Sequence, residues 1–264
     1  MNTQNNILSE VAEIAKSAGA VAKKFFLSPT LKKSFKSQCD LVSEADLAVE
    51  TMLLEALKKV DDISFLTEEF NPETKLDKPC WIVDPIDGTT NFVAGISPFA
   101  ISIAHFDGVE VDAAVCFLPV TEELFCAEKG KGAFLNGEKI SVNSENKAIN
   151  CVGATGFADI TRQGGTGTLP VFCSMVGQTR TMRRLGSAVT DLVYTACGKF
   201  AFFYEAGLSP WDVAAGSLIV SEAGGIVTDF LGGSDFILGR SIIASNPEIY
   251  GFVKSEIEKF LASK

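Results

Sequence analysis

Trp81-Ile82-Val83-Asp84-Pro85-Ile86-Asp87-Gly88-Thr89-Thr90-Asn91-Phe92 begins as an apolar strand and runs into a tight turn with two carboxylates, a glycine and two hydroxyls. Asp84 is expected at the last pleat of the strand. Pro85 lacks a backbone donor and blocks further ladder pairing there. The turn that follows lets Asp84, Asp87 and the Ile86 carbonyl converge, a set of hard oxygen donors of the kind Mg2+ prefers. Gly88-Thr89-Thr90 then offers backbone N–H groups and hydroxyls, and a helix opening there would make a cradle for phosphate. Asp-Pro and Asp-Gly are also ordinary turn pairs, and either acid alone reads as a turn residue. A simple turn has no need of the second acid, the glycine and the paired threonines. The joint pattern points to metal-assisted transfer of a phosphoryl group to water.

The bulk numbers narrow the alternatives. The chain has 264 residues, 47% of them hydrophobic, with 20 phenylalanines, so it has the means to bury a substantial core. A formal net charge of -10 disfavours nucleic acid and anionic lipid as direct partners. The one dense basic cluster, Lys32-Lys33 to Lys36, is short and reads as a solvated loop. No signal peptide is expected from the polar start, and no apolar run reaches membrane-spanning length. The seven cysteines are scattered without CxxC spacing, which argues for reduced thiols and a cytoplasmic location. His105 is the only histidine, in an alternating strand-like run, and reads as structural. Multi-histidine zinc centres are excluded, and base chemistry falls to carboxylates or metal-activated water.

Along the chain, apolar residues at helical spacing predict a helix over Ile7 to Phe26, ended by Ser28-Pro29. Lys36 to Val42 reads as a polar loop. Ser43-Glu44-Ala45-Asp46 has capping-box spacing and predicts a second helix to about Val60. Ile63 to Leu66 predicts a short strand. Phe99 to Phe106, Val109 to Phe117 and Glu123 to Ala127 predict strands of an antiparallel meander, with tight turns at 129–132 and 135–138. A second half begins near Asn150. Strands are expected at 150–155, 179–182, 201–204, 225–228 and 241–244, and helices at 187–197, 210–223 and 247–261. Gly164 to Gly167 reads as a flexible loop with no nucleotide-binding spacing.

Two further acidic stretches matter. Glu68-Glu69 follows the Phe65-Leu66 strand, and Glu68 can meet Asp84 if the two strands are neighbours. Asp212 lies in Ser209-Pro210-Trp211-Asp212, where it suits a capping box. The helix it would cap is otherwise so apolar that a carboxylate at its start calls for a cation.

Four blocks together resemble the inositol monophosphatase family of Mg2+-dependent, lithium-sensitive phosphatases: Asp40 to Asp46, Thr67-Glu68-Glu69, Trp81 to Phe92, and Trp211 to Gly216. Gly130 to Gly137, Arg184 to Ala188 and Glu222 to Gly225 match as well, in order along nearly the whole chain. The resemblance implies an α/β (α+β) fold, layered αβαβα. It implies one domain, 1–264, with a metal and phosphate part over about 1–148 and a substrate part over 149–264. It makes Glu68, Asp84, Ile86 (through its carbonyl), Asp87 and Asp212 the metal site, and Gly88 and Thr89 the phosphate site. It implies that Asp46 pairs with the Thr89 hydroxyl to help activate water, and that Glu68 shares in catalysis. Substrate contacts are expected from Asp87, Ser187, Ala188, Glu205 and Asp212. Asp40 falls near the family's mobile loop. Roughly two or three Mg2+ ions would turn the repulsion among these carboxylates into binding. A homodimer is expected by the same analogy. Phe70 and Thr67 depart from the smaller residues usual beside Glu68-Glu69. The loop containing Lys36 is about one residue shorter than in animal members.

Thr89-Thr90-Asn91-Phe92 resembles the inositol-phosphate branch of the superfamily, whereas the phosphoadenosine branch typically carries Lys-Glu after the threonine. Glu205 favours a neutral polyol and repels a second phosphate. The expected substrate is a monophosphate of inositol or of a related polyol or sugar. The alternatives are fructose 1,6-bisphosphate, phosphoadenosine phosphate, or a regulatory binding protein that retains the fold.

Overall fold

The computed structural model describes residues 4–26, 28, 32–37, 40–163 and 167–262. The expectations for Pro29, Cys39 and 164–166 lie outside the described residues. Helix α1 (Gln4–Phe26) precedes the hairpin β1 (Lys33–Ser37) and β2 (Asp40–Ser43). Helix α2 (Glu44–Val60), β3 (Ser64–Thr67), β4 (Cys80–Asp87) and α3 (Thr89–Ala94) follow. The meander is β5 (Ala100–Phe106), β6 (Val111–Leu118), β7 (Glu123–Glu128), β8 (Gly132–Leu135) and β9 (Glu138–Ile140). The remaining elements are β10 (Val152–Thr155), α4 (Ala158–Gln163), α5 (Leu169–Val176), β11 (Thr181–Arg183), α6 (Ala188–Ala196), β12 (Phe202–Ala206), α7 (Pro210–Glu222), β13 (Ile226–Thr228), β14 (Ser241–Ser245) and α8 (Tyr250–Leu261).

Strands β3 to β9 form a seven-stranded sheet in chain order, with β3 and β4 parallel and the rest antiparallel. A second sheet has the order β11-β10-β12-β14-β13. The period-two alternation of the strands sets the layers. Trp81 and Val83 of β4 pack on Ala15, Ala18, Leu53 and Leu57 of α1 and α2. Cys80 and Ile82 face the other way, onto a core shared with Leu192, Val213 and Ile219 of α6 and α7. Phe203, Ile242 and Ala244 of the second sheet close that core from its far side. Phe202, Tyr204 and Ile243 point outward onto Met175, Val253 and Ile257 of α5 and α8. The order of layers is therefore αβαβα, as the resemblance implies. Fully burying a side chain such as Leu53 or Ile219 contributes about 1.5–3 kcal/mol. Helix α7 is apolar all round because a sheet covers it on each side, and its residues from Asp212 to Val220 are all buried.

Several local expectations change. Lys33–Ser37 and Asp40–Ser43 are not loop but an antiparallel pair. A polar run without apolar alternation hides such a ladder, which backbone hydrogen bonds hold. Helices α4 and α5 occupy a stretch where the sequence predicts no element. Strand β4 does not stop at Asp84. It continues to Asp87 through a bulge, since Asp84 pairs with Ser102 and Asp87 with Ala100. Pro85 sits within that irregularity, where its missing donor costs no ladder bond. The β8–β9 turn carries positive φ at both Asn136 (50°) and Gly137 (85°), the geometry that twists a tight hairpin correctly.

His105 is structural, as its strand position predicts. Its ring meets Trp81 edge-on at 4.9 Å, and its Nδ1 lies 2.6 Å from Asp112 Oδ1. Burial lowers its pKa, but the hydrogen bond and charge of Asp112, with Asp61 and Asp107 behind it, raise it overall.

Candidate active site

The bulge in β4 decides the geometry of the acids. Residues three apart in a regular strand point to opposite faces. One extra residue between Asp84 and Asp87 brings both carboxylates to the same side. Asp212 arrives from the start of α7, where its Oδ2 accepts the Ser209 N–H at 2.7 Å in the expected capping box. Asp212 is thus both a helix cap and a site residue. Oxygens of Asp84, Asp87 and Asp212, all buried, lie within 4.8 Å of one another.

The electrostatics are those of crowded acids. Burial raises the Asp84 pKa well above the ordinary carboxylate range, and the charges of Glu68, Asp87 and Asp212 push it further. Burial and then the charge of Asp212 push Asp87 up to about 7, against the pull of hydrogen bonds from Ser187 and Val189 N–H. Three oxygen donors that resist ionising together suit a hard divalent cation, whose charge would remove that resistance. The residues present fit the metal that the sequence implies.

Glu68 lines the same pocket as the three aspartates, immediately after β3, which pairs in parallel with β4. Ile86, Gly88 and Thr89 line it too. Asp84 Oδ1 accepts the Ile86 N–H at 3.0 Å. The Thr89 hydroxyl lies 3.1 Å from both Asp46 Oδ1 and the Ile86 carbonyl, and its single proton serves one at a time. Asp46 caps α2, accepting the Ser43 N–H at 2.9 Å and the Ser43 hydroxyl at 2.5 Å. Burial raises its pKa, and the bonds from Ser43 and Thr89 restrain the rise.

Ser187 and Ala188, at the opening of α6, line the pocket beside Asp87. The Ser187 hydroxyl donates to Asp87 Oδ2, which also accepts the Val189 N–H at 2.9 Å. Ser187 is therefore committed to Asp87 and to capping Thr190 N–H at 3.2 Å. Glu205, on β12, accepts the Ala158 N–H at 3.0 Å and is 6% exposed. Burial lifts its pKa to about 8; Ala158 N–H and Arg184 lower it, and Asp212 and Asp87 raise it.

Arg184, Gly156, Ala158 and Leu208 also line the pocket and were not singled out as site residues by sequence. Arg184 lay in a matching block, whereas nothing in the sequence flagged Gly156. A Cβ at Gly156 would stand 2.2 Å from both Glu205 carboxylate oxygens. Gly156→Ala is expected to displace Glu205 at a cost of about 1–3 kcal/mol in stability. Steady-state kinetics should show a raised KM for substrate with little change in the Mg2+ concentration for half-maximal rate. The side chain of Asp40 lies outside the described residues.

A buried carboxylate cluster at a polar pocket, assembled between two sheets of an αβαβα frame, is the arrangement of a metal-dependent phosphatase. The profile of the inositol monophosphatase family matches residues 4–262. The chain belongs to that family and is a phosphoric monoester hydrolase. It is 38% identical over 256 residues to an inositol-1-monophosphatase of Rhizobium meliloti, covering 96% of each chain. It is 36% identical over 246 residues to the Nus factor SuhB of Escherichia coli K12, covering 92% of each. Among solved structures, the extragenic suppressor protein suhB of Bartonella henselae superposes with a TM-score of 0.89 at 35% identity, over 96% of this chain and 99% of that one. An IMPase of Thermotoga maritima superposes with a TM-score of 0.86 at 32% identity, over 97% and 98%. Among the described residues no helix is long and apolar enough to cross a membrane.

Proposed function

We propose that this chain hydrolyses a monophosphate of inositol or of a closely related polyol or sugar, with Mg2+ as its metal. The observation that carries the reading is the meeting of Asp84, Asp87 and Asp212 beside Gly88 and Thr89, with Glu205 lining the same pocket. Glu68, Asp84, Asp87, Asp212 and the Ile86 carbonyl would hold roughly two or three Mg2+ ions. When bound, Mg2+ supplies charge neutralisation, polarisation of the phosphate and activation of water.

The chain's own residues do the rest. Gly88 and Thr89 hold the phosphate against the turn that follows β4. Water attacks phosphorus in line with the ester oxygen, the P–O bond to the alcohol breaks, the departing alkoxide takes a proton from solvent, and inorganic phosphate and the polyol leave. The Asp46–Thr89 pair receives the proton that the attacking water sheds, a role suited to a carboxylate whose pKa burial has lifted. Ser187 and Val189 hold Asp87 in one rotamer, so the metal site is set before substrate arrives. Glu205 accepts hydrogen bonds from the polyol, and Ala188 with Leu208 shapes the wall beside it.

Phosphate release from inositol 1-phosphate, glycerol 2-phosphate, fructose 1,6-bisphosphate and phosphoadenosine phosphate tests the assignment. The first two are expected to be preferred, with activity dependent on Mg2+ and inhibited by Li+. A wide preference for phosphoadenosine phosphate would overturn it. The likeness to proteins called Nus factor SuhB favours a second reading, a regulatory binding role carried by the same fold. A variant without turnover that keeps such a role would separate the two. A homodimer in the cytoplasm completes the proposal. The free thiols of Cys80, Cys116, Cys126, Cys151, Cys173 and Cys197 suit a reducing compartment.

A further inference from the structure

We propose that Glu50 is a positioning residue that fixes the Glu68 arm of the site, an inference that rests on Glu68 being a metal ligand. Glu50 lies on α2, four residues after Asp46, so both carboxylates leave the same face of the helix. It is fully buried. Its Oε1 accepts the Thr67 hydroxyl at 2.5 Å and the Phe70 N–H at 2.8 Å, and its Oε2 accepts the Glu69 N–H at 2.9 Å. These donors bracket Glu68 on both sides. The Thr67 hydroxyl in turn accepts the Asn71 N–H at 3.1 Å, which closes the turn on itself.

The chain leaves the sheet at Thr67, where ladder pairing no longer fixes the backbone. One carboxylate replaces that pairing for Glu69 and Phe70. Phe70 is 49% exposed, so water has access to this turn, and a fully buried carboxylate is a costly way to hold it. What Glu50 supplies is position. Asp46, one turn earlier on α2, reaches Thr89, while Glu50 reaches the turn that carries Glu68. A single helix thus registers two loops of the site against each other.

Glu50→Gln in the full chain tests this. Hydrogen bonding by the amide would aim its NH2 at a backbone N–H, donor against donor. Three readouts are needed: Mn2+ binding by calorimetry, the Mg2+ dependence of phosphate release, and amide exchange at Glu69 and Phe70 in metal-free protein. Expected are a loss of about tenfold or more in metal affinity, faster exchange at those two amides, and a kcat at saturating Mg2+ within several-fold of the parent. Unchanged Mn2+ affinity alongside a lowered melting temperature would mark Glu50 as structural only and overturn the inference. If Glu50→Gln does not fold, Thr67→Val and Thr67→Ser decide. Weaker Mn2+ binding with valine that serine restores supports the clamp; equal binding in both overturns it. A parent chain that binds neither Mn2+ nor Mg2+ would instead overturn the metal-site reading itself.

Discussion

Asp87→Asn is expected to lower kcat for phosphate release by about a thousandfold or more while leaving the fold intact. The reason lies in which oxygen is already committed. Asp87 Oδ2 accepts both the Ser187 hydroxyl and the Val189 N–H. Asparagine can keep both bonds only by placing its carbonyl oxygen there. Its NH2 group must then take the other position, and a donor replaces an acceptor in the cluster with Asp84 and Asp212. Melting curves should match the parent or exceed it without metal, because one of the crowded charges is gone. Phosphate release within tenfold of the parent at saturating Mg2+ would show that Asp87 is not at the reacting centre.

The second large effect is on stability. Glu205 has a folded-state pKa of about 8, against 4.5 for the ordinary side chain. The unfolded chain therefore ionises this group first, and the folded chain must hold it protonated or bury its charge. As pH rises from about 4.5 to about 8, the unfolded state gains stability relative to the folded state, and above about 8 the loss is complete. Glu205→Gln keeps an acceptor for the Ala158 N–H and removes the charge. In chelator-treated protein it should be more stable than the parent by on the order of a few kcal/mol at pH 9, with the gap closing by about pH 4. Urea unfolding across that range measures it. A gap independent of pH would mean that the carboxyl titrates normally. If Glu205 contacts the substrate as proposed, the same variant raises KM for the polyol phosphate, and the position trades stability for recognition.

Much of this was legible before any coordinates, and the reasons are local. The helix start at Ser43 to Asp46, the meander and the Pro210 helix follow from capping spacing, alternation and turn residues. Asp84, Asp87 and Asp212 stood out because each sits in a motif with more polar groups than its turn or cap needs. The β1–β2 hairpin was hidden by its polar composition, and α4 and α5 lay in a stretch where no periodicity was read. The β4 bulge was not foreseen because Pro85 signals an end to pairing without saying that pairing resumes. Glu50 lies at i+4 from Asp46 on α2, but that spacing alone does not single it out. A buried acid on an amphipathic helix gains meaning only once the turn it holds is known.

The three clustered aspartates come from two separate places, Asp84 and Asp87 from a strand and Asp212 from the helix that both sheets enclose. During synthesis, a ribosome that has delivered only the seven-stranded sheet has released two of the three acids. The third emerges only after the strands of the second sheet have begun to appear, with a helix that both sheets enclose. The cluster of three aspartates is therefore whole only in the completed sandwich.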